Sequence, residues 1–186
     1  MLKNGIGGNC EMRYLIVSDI HGDAYSTKFI CDYFKNNKLD QILLLGDVLY
    51  HGPRNDLPKD YNPKECIKLL NELADKIIWI RGNCDAEVDE MVLNFKVNEK
   101  IDLVLNKINA HLEHGHHLDE YKGNPDLVLY GHTHIPECAI HNKTLYFNPG
   151  SISLPKNNTK KSFAILDDRN ISLYDMDGNI LDNFSF

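Results

Sequence analysis

Five times in this 186-residue chain an apolar run of strand length stops at a glycine set among Asp, Asn or His side chains. Arg13–Ser18 leads into Asp19-Ile20-His21-Gly22, and Gln41–Leu45 into Gly46-Asp47. Ile77–Ile80 leads into Arg81-Gly82-Asn83-Cys84-Asp85. Ile108–Glu113 is followed by His114-Gly115-His116, and Leu127–Tyr130 by Gly131-His132-Thr133-His134. Loops at the carboxyl ends of strands in an α/β sheet converge on one crevice. Glycine beside each polar residue allows the tight turn and close backbone approach such loops need.

The stretches between the first three runs are amphipathic. Phe29, Ile30, Tyr33 and Phe34 stand at helical spacing, so a helix is predicted over about 25–35. Asn62-Pro63-Lys64-Glu65 supplies an N-cap, a first-turn proline and an early acid ahead of Ile67, Leu69, Leu70 and Leu73. This βαβαβ rhythm predicts right-handed crossovers and a parallel sheet. The second half is nearly devoid of helix signals. It reads as strands over 92–97, 101–105, 108–112, 127–130, 137–141, 144–147, 162–166, 171–174 and 179–184. Turn signals fall at Asp167-Asp168-Arg169-Asn170 and Asp177-Gly178. A second sheet dominated by antiparallel hairpins is expected. The fold class is therefore α/β: two sheets face to face with helices outside, in a single domain over 12–186. Residues 1–11, with Gly5, Gly7 and Gly8, are expected to form a flexible leader.

Lys plus Arg is 20 and Asp plus Glu is 27, giving a net charge of -7. That excludes a polyanion binder working through a diffuse basic face. No apolar run approaches the ~20 residues of a membrane span, and no secretory signal precedes the first strand. The five cysteines include no CxxC pair, so neither a disulfide framework nor a zinc ribbon is signalled and a cytoplasmic location is expected. Six of the nine histidines crowd into residues 111–134, which points to metal or acid–base chemistry. A lone Gly-Asp is an ordinary turn, but all five clusters at strand ends in one chain make a metal site the economical reading. Asp19, His21, Asp47, Asn83, His114, His132 and His134 exceed the three or four protein ligands of one ion. Two ions are implied, with one carboxylate bridging. Asp47 is the natural bridge, being the only ligand-type side chain at its strand end.

The ordered set Asp19-x-His21, Gly46-Asp47, Gly82-Asn83-x-Asp85, His114-Gly115-His116 and Gly131-His132-x-His134 resembles the calcineurin-like metallophosphoesterase superfamily. Within it, residues 46–55 (GDVLYHGPRN), 81–85 (RGNCD) and 148–151 (NPGS) are similar to the bacterial YfcE-type phosphodiesterases. The resemblance implies a four-layer α-β-β-α sandwich with two mixed β-sheets. It implies one metal held by Asp19, His21 and His134, a second by Asn83, His114 and His132, and Asp47 between them. Oxygen and imidazole donors without thiolate suit Mn²⁺ first, with Fe²⁺, Zn²⁺ or Ni²⁺ as alternatives. The implied reaction is in-line attack of metal-bound hydroxide on a phosphodiester. Phosphomonoesterase and nuclease activity are the neighbouring enzyme readings. A protein-interaction scaffold, as in the retromer subunit of this fold, is the non-enzymatic one.

Cys84 stands where many relatives carry a histidine thought to assist the leaving group. A thiol is the weaker acid, so acidic leaving groups should be favoured, and Cys84→His should broaden the substrate range. Asp85 is expected to cap a helix N-terminus or to orient its neighbours rather than to ligate metal, and His51 and Arg54 to contact substrate phosphate or else to brace their loop. His116 is expected near the site, and His111, His117 and His141 in surface or core. Two divalent ions would bring the net charge to about -3. Locally they would leave about +1 facing the phosphate after Asp19, Asp47 and a hydroxide are counted. A small phosphodiester is therefore the expected partner, with no membrane and no extended nucleic acid; a homo-oligomer is left open.

Overall fold

The computed structural model describes residues 11–118 and 121–186; the expected leader lies outside them except for Glu11, which is exposed. The first half alternates strand and helix: β1 (Arg13–Val17), α1 (Ala24–Asn36), β2 (Gln41–Leu44), α2 (Pro63–Asn71) and β3 (Ile77–Ile80). Strands follow almost without interruption: β4 (Val97–Asn98), β5 (Ile101–Leu105), β6 (Ile108–Leu112), β7 (Leu127–Leu129), β8 (Glu137–His141) and β9 (Thr144–Asn148). The chain ends in β10 (Ser162–Asp167), β11 (Asn170–Asp175) and β12 (Ile180–Ser185). Asn62 caps α2 as its sequence anticipates, the side chain accepting the Glu65 amide at 3.2 Å.

Two mixed sheets result, ordered β12-β11-β10-β1-β2-β3-β4 and β5-β6-β7-β9-β8. Period-2 alternation splits each strand of the larger sheet between two apolar layers. Leu15, Val17, Ile42, Leu44, Trp79 and Phe163 face the helices. Ile16, Leu43, Ile80, Ala164 and Leu166 face the smaller sheet, meeting Leu112, Leu127, Leu129, Leu145 and Phe147. Two sheets packed face to face with helices on the outside are thus present. Over the outer face of the smaller sheet, the described residues of the 115–126 segment hold no α-helix; Tyr121 stacks on His111 there at 3.7 Å between ring centroids.

Three expectations are corrected. The centre of the smaller sheet is parallel, β6 with β7 and β7 with β9, and only its flanks are hairpins. Leu127, Val128 and Leu129 are all fully buried, the two-sided burial characteristic of a parallel strand. The last three strands do not join this sheet but extend the larger one, β10 lying antiparallel to β1. The strand expected over 92–97 is reduced to the two residues of β4. Asn71 on α2 takes the Asn94 amide and donates to the Val92 carbonyl, removing both groups from any ladder. Leu93 and Phe95 alternate because both plug the helix-side core, Phe95 edge-on to Trp79.

Candidate metal centre

The parallel strands β1, β2 and β3 of one sheet and β6, β7 and β9 of the other bring six loops together. Main-chain hydrogen bonds lace these loops. Asp19 N–H donates to the Gly46 carbonyl, His21 N–H to Asp47, Gly22 N–H to Val48, and Gly131 N–H to His114. Asp19, His21, Asp47, His132 and His134 all take positive φ, between 50° and 68°. Left-handed backbone in side-chain-bearing residues costs roughly 1 kcal/mol or more each, and it persists only where neighbours over-determine it. Ser151 and Ser153 contribute to that, both hydroxyls donating to the Asp19 carbonyl at 2.8 and 2.9 Å. Close approach demands glycine at 131 and 82. A Cβ on Gly131 would lie 1.8 Å from the Ser18 hydroxyl, and one on Gly82 2.1 Å from Asp47 Oδ1.

Three imidazoles share one orientation device. Nδ1 of His21, His114 and His134 pairs with the carbonyls of Tyr50, Leu45 and Leu154 at 2.8, 2.6 and 2.6 Å. A carbonyl only accepts, so each Nδ1 carries the hydrogen and each Nε2 is turned inward as a donor to a cation. Nε2 of His21 and His134 lie 3.1 Å apart. Asp19 Oδ1 sits 3.3 Å from His134 Nε2 and 3.6 Å from His21 Nε2, fully buried and without a hydrogen-bond partner. Bare nitrogens and a buried carboxylate oxygen aimed at one point repel each other unless positive charge is supplied. Asp47 Oδ2 approaches a second group, 3.4 Å from His114 Nε2, while lying 3.7 Å from His21 Nε2. Asn83 Oδ1 is 3.2 Å from His114 Nε2, and the His132 ring is 5.2 Å from that of His114. The donor set fits divalent metal.

The charges behave accordingly. Burial pulls the His114 imidazolium down, but the Asp47 and Asp19 carboxylates outweigh it and push it up to about 9. Burial opposes ionisation of Asp19 too, yet His134 and His21 hold its carboxyl well below the usual range. His132, by contrast, is lowered to about 4 by burial and by its neighbour His114. Metal ligation requires neutral imidazole. Loading a divalent ion at pH 7 is therefore expected to release about one proton or more per chain, falling away as pH rises past 9. Calorimetry in two buffers of different ionisation enthalpy measures this; metal uptake at pH 7 with no proton release contradicts it.

Asp85 is not among the converging donors. Its carboxylate accepts the amides of Asp47, Val48 and Gly82 at 3.0, 2.8 and 2.7 Å and the Trp79 indole at 3.3 Å. It orients the Asp47 loop and does not cap a helix, since no α-helix begins there. Cys84 lies at the edge of the donors, its thiol grouped with His21 and Asp47. Burial, then Asp47, pushes that thiol up to about 12, so it stays protonated. Arg54, with Pro53 and Asn55, faces Asn83, Cys84, His132 and His134 across a small cleft. His51 is not brought into that lining. Its ring packs edge-on between Tyr50 and Tyr61, with Nδ1 buried and unpartnered. His116 lies beside the site, 5.5 Å from His114 and 5.9 Å from His132 between ring centroids. His111 is buried between Asp102 and Glu113, whereas His117 and His141 are exposed. One contributor the motifs include, Asn148, is given a contact, and one they do not, Lys156, joins the site. The β9 end supplies Asn148, whose amide donates to the Gly131 carbonyl at 2.7 Å, and Lys156 lines the cleft.

The pattern of the calcineurin-like phosphoesterase superfamily domain matches residues 12–170. The chain belongs to that superfamily. Among calcineurin-like relatives, phosphodiesterase YfcE of Escherichia coli K12 is 40% identical over 168 residues, 87% of this chain and 91% of that protein. The probable metallophosphoesterase YsnB of Bacillus subtilis is 32% identical over 182 residues, covering 92% and 96%. The solved structure of E. coli YfcE, described as a phosphoesterase, superposes with a TM-score of 0.89 at 38% identity, covering 94% of this chain and 99% of that one. Zinc-complexed Vps29 from Entamoeba histolytica shares the calcineurin-like fold at a TM-score of 0.64 and 20% identity, over 94% and 99% of the two chains.

Proposed function

We propose that this chain is a dinuclear, divalent-metal-dependent phosphodiesterase for small substrates, carried by a single domain over 12–186. The observation that carries the reading is the pair of inward-facing histidine groups with Asp47 between them: His21 and His134 beside the partnerless Asp19 Oδ1, and His114 beside Asn83. Asp19, His21 and His134 would hold one ion and Asn83, His114 and His132 the other, with Asp47 shared. When bound, such a pair supplies Lewis acidity that acidifies water and offsets phosphoryl charge. Manganese suits the oxygen and imidazole donors best, with Fe²⁺, Zn²⁺ or Ni²⁺ as alternatives.

The chain's own residues set the rest of the chemistry. The Nδ1 contacts to Leu45, Tyr50 and Leu154 fix each ligand's tautomer and aim. Arg54, lining the cleft, offers a planar fork of donors to an anionic group of the substrate. Cys84, held as a neutral thiol at about 12, is a feeble proton donor near neutrality, so esters with acidic leaving groups turn over fastest. Among the described residues no helix is long and apolar enough to cross a membrane, and Cys31, Cys66, Cys84 and Cys138 are free thiols, which supports a reducing, cytoplasmic setting. With a net charge of -7, extended nucleic acid is disfavoured as substrate.

The test is a paired assay of the manganese-loaded protein on bis(p-nitrophenyl) phosphate and p-nitrophenyl phosphate. Preferential hydrolysis of the diester is expected. Faster hydrolysis of the monoester, or no hydrolysis of either, overturns the assignment.

A further inference from the structure

Lys156 sits on the loop that follows the β9 end and lines the same cleft as Arg54, Asn83 and Cys84. That loop is rigidly tied to a proposed metal ligand. Lys156 N–H donates to the His134 carbonyl at 3.2 Å, and His134 Nδ1 donates in turn to Leu154 at 2.6 Å. The Lys156 carbonyl accepts both the Thr159 amide and its hydroxyl, at 3.0 and 2.7 Å. Ser151 Oγ accepts the Leu154 amide at 2.8 Å. The backbone is thus fixed while the ammonium is left without an acidic partner among the described residues. Arg54, on the loop after β2, has no such partner either. Nearby Lys160 and Lys161 are both paired, with Asp175 and Asp23.

The charge count makes this surplus informative. Two divalent ions against Asp19, Asp47 and one hydroxide leave about +1, which a phosphodiester monoanion balances alone. Among the described residues, the only carboxylate lining the cleft is Asp47, already committed to the centre. Two cations therefore remain on the rim with nothing in the cleft to answer them.

We propose that Lys156, with Arg54, is a substrate-binding residue that recognises a second anionic group, carried on an arm of the diester and separate from the scissile phosphate. The preferred substrates are phosphodiesters bearing an additional phosphate or carboxylate. This rests on the phosphodiesterase reading for its biological sense, but the test is one of binding and does not need turnover.

Metal-loaded protein is titrated calorimetrically with thymidine 5′-monophosphate and with thymidine 3′,5′-bisphosphate. The bisphosphate is expected to bind about tenfold more tightly, the value of one partly exposed, charge-assisted contact. Lys156→Met should remove that advantage, weakening the bisphosphate about tenfold more than the monophosphate at the same metal content, while Lys156→Arg retains it. Equal affinity of the two ligands for the unaltered protein overturns the proposal. So does an equal loss for both in Lys156→Met, which would mark Lys156 as a structural residue of the His134 loop. As a kinetic counterpart, the 5′-(p-nitrophenyl) ester of thymidine monophosphate is compared with its 3′-phosphorylated form. Lys156→Met should raise KM only for the latter; failure to hydrolyse either ester counts against the phosphodiesterase reading, not against the binding result.

Discussion

Asp47→Asn is expected to lower phosphodiester turnover by about a hundred- to a thousandfold, the range seen when one preorganised electrostatic contact is removed from an active site. The substitution is nearly isosteric. An amide oxygen can still accept the Cys84 amide that now donates to Oδ1 at 2.8 Å. What disappears is the negative charge that Oδ2 presents to His114 at 3.4 Å and to His21 at 3.7 Å. No other carboxylate approaches both histidine groups this closely among the described residues. Asp19, fully buried, is committed to His21 and His134 and takes the His132 amide on Oδ2. The chain should therefore remain folded, bind metal with reduced stoichiometry and turn over almost nothing. The check is kcat on an aryl diester together with metal content after dialysis; near-normal turnover would remove Asp47 from the centre.

Asp85→Ala should act differently, through the loops. Its carboxylate gathers three main-chain amides and the Trp79 indole, so truncation leaves four donors unpaired in the space beside Asp47. An unsatisfied buried donor costs about 1–3 kcal/mol, so with some of the four regaining partners a loss of about 3–5 kcal/mol is expected. For a chain of this size that corresponds to a fall in Tm of roughly 6–20 °C. Metal affinity should drop about 10–100-fold, because the residue that aims Asp47 has gone while every ligand remains. Thermal unfolding and metal titration read the two effects separately. An unchanged Tm with affinity within about twofold of the parent would contradict the positioning role assigned from these contacts.

The two variants probe parts of the molecule that differ in how legible they are from sequence. The clusters after β1, β2, β3, β6 and β7 are local: each glycine and each ligand-type side chain lies within a few residues of its strand, so the pattern can be read along the chain. The positive φ at Asp19, His21, Asp47, His132 and His134 cannot be read that way, because it is imposed by loops that meet only in the fold. The parallel pairing of β6, β7 and β9 is likewise non-local. A run such as Leu127–Leu129 is compatible with either strand direction, and only burial on both faces distinguishes them. β10, β11 and β12 carry clear hairpin signals, yet nothing in those signals says which sheet they join. Phe163 and Ile165 settle it by packing toward the helices while Ala164 and Leu166 pack between the sheets. Lys156 was invisible for the same reason, being 22 residues from His134 in sequence and hydrogen-bonded to it in space. His51 shows the converse. Its place beside Gly52 and Arg54 suggested a substrate contact, but two tyrosines hold its ring outside the cleft lining.

The most direct measurement strips the protein with a chelator and titrates Mn²⁺ back while following hydrolysis of bis(p-nitrophenyl) phosphate. Activity should vanish on stripping and return in full only as the second ion per chain is taken up. Hydrolysis that survives chelation, or full recovery at a single ion per chain, would contradict the two-metal account.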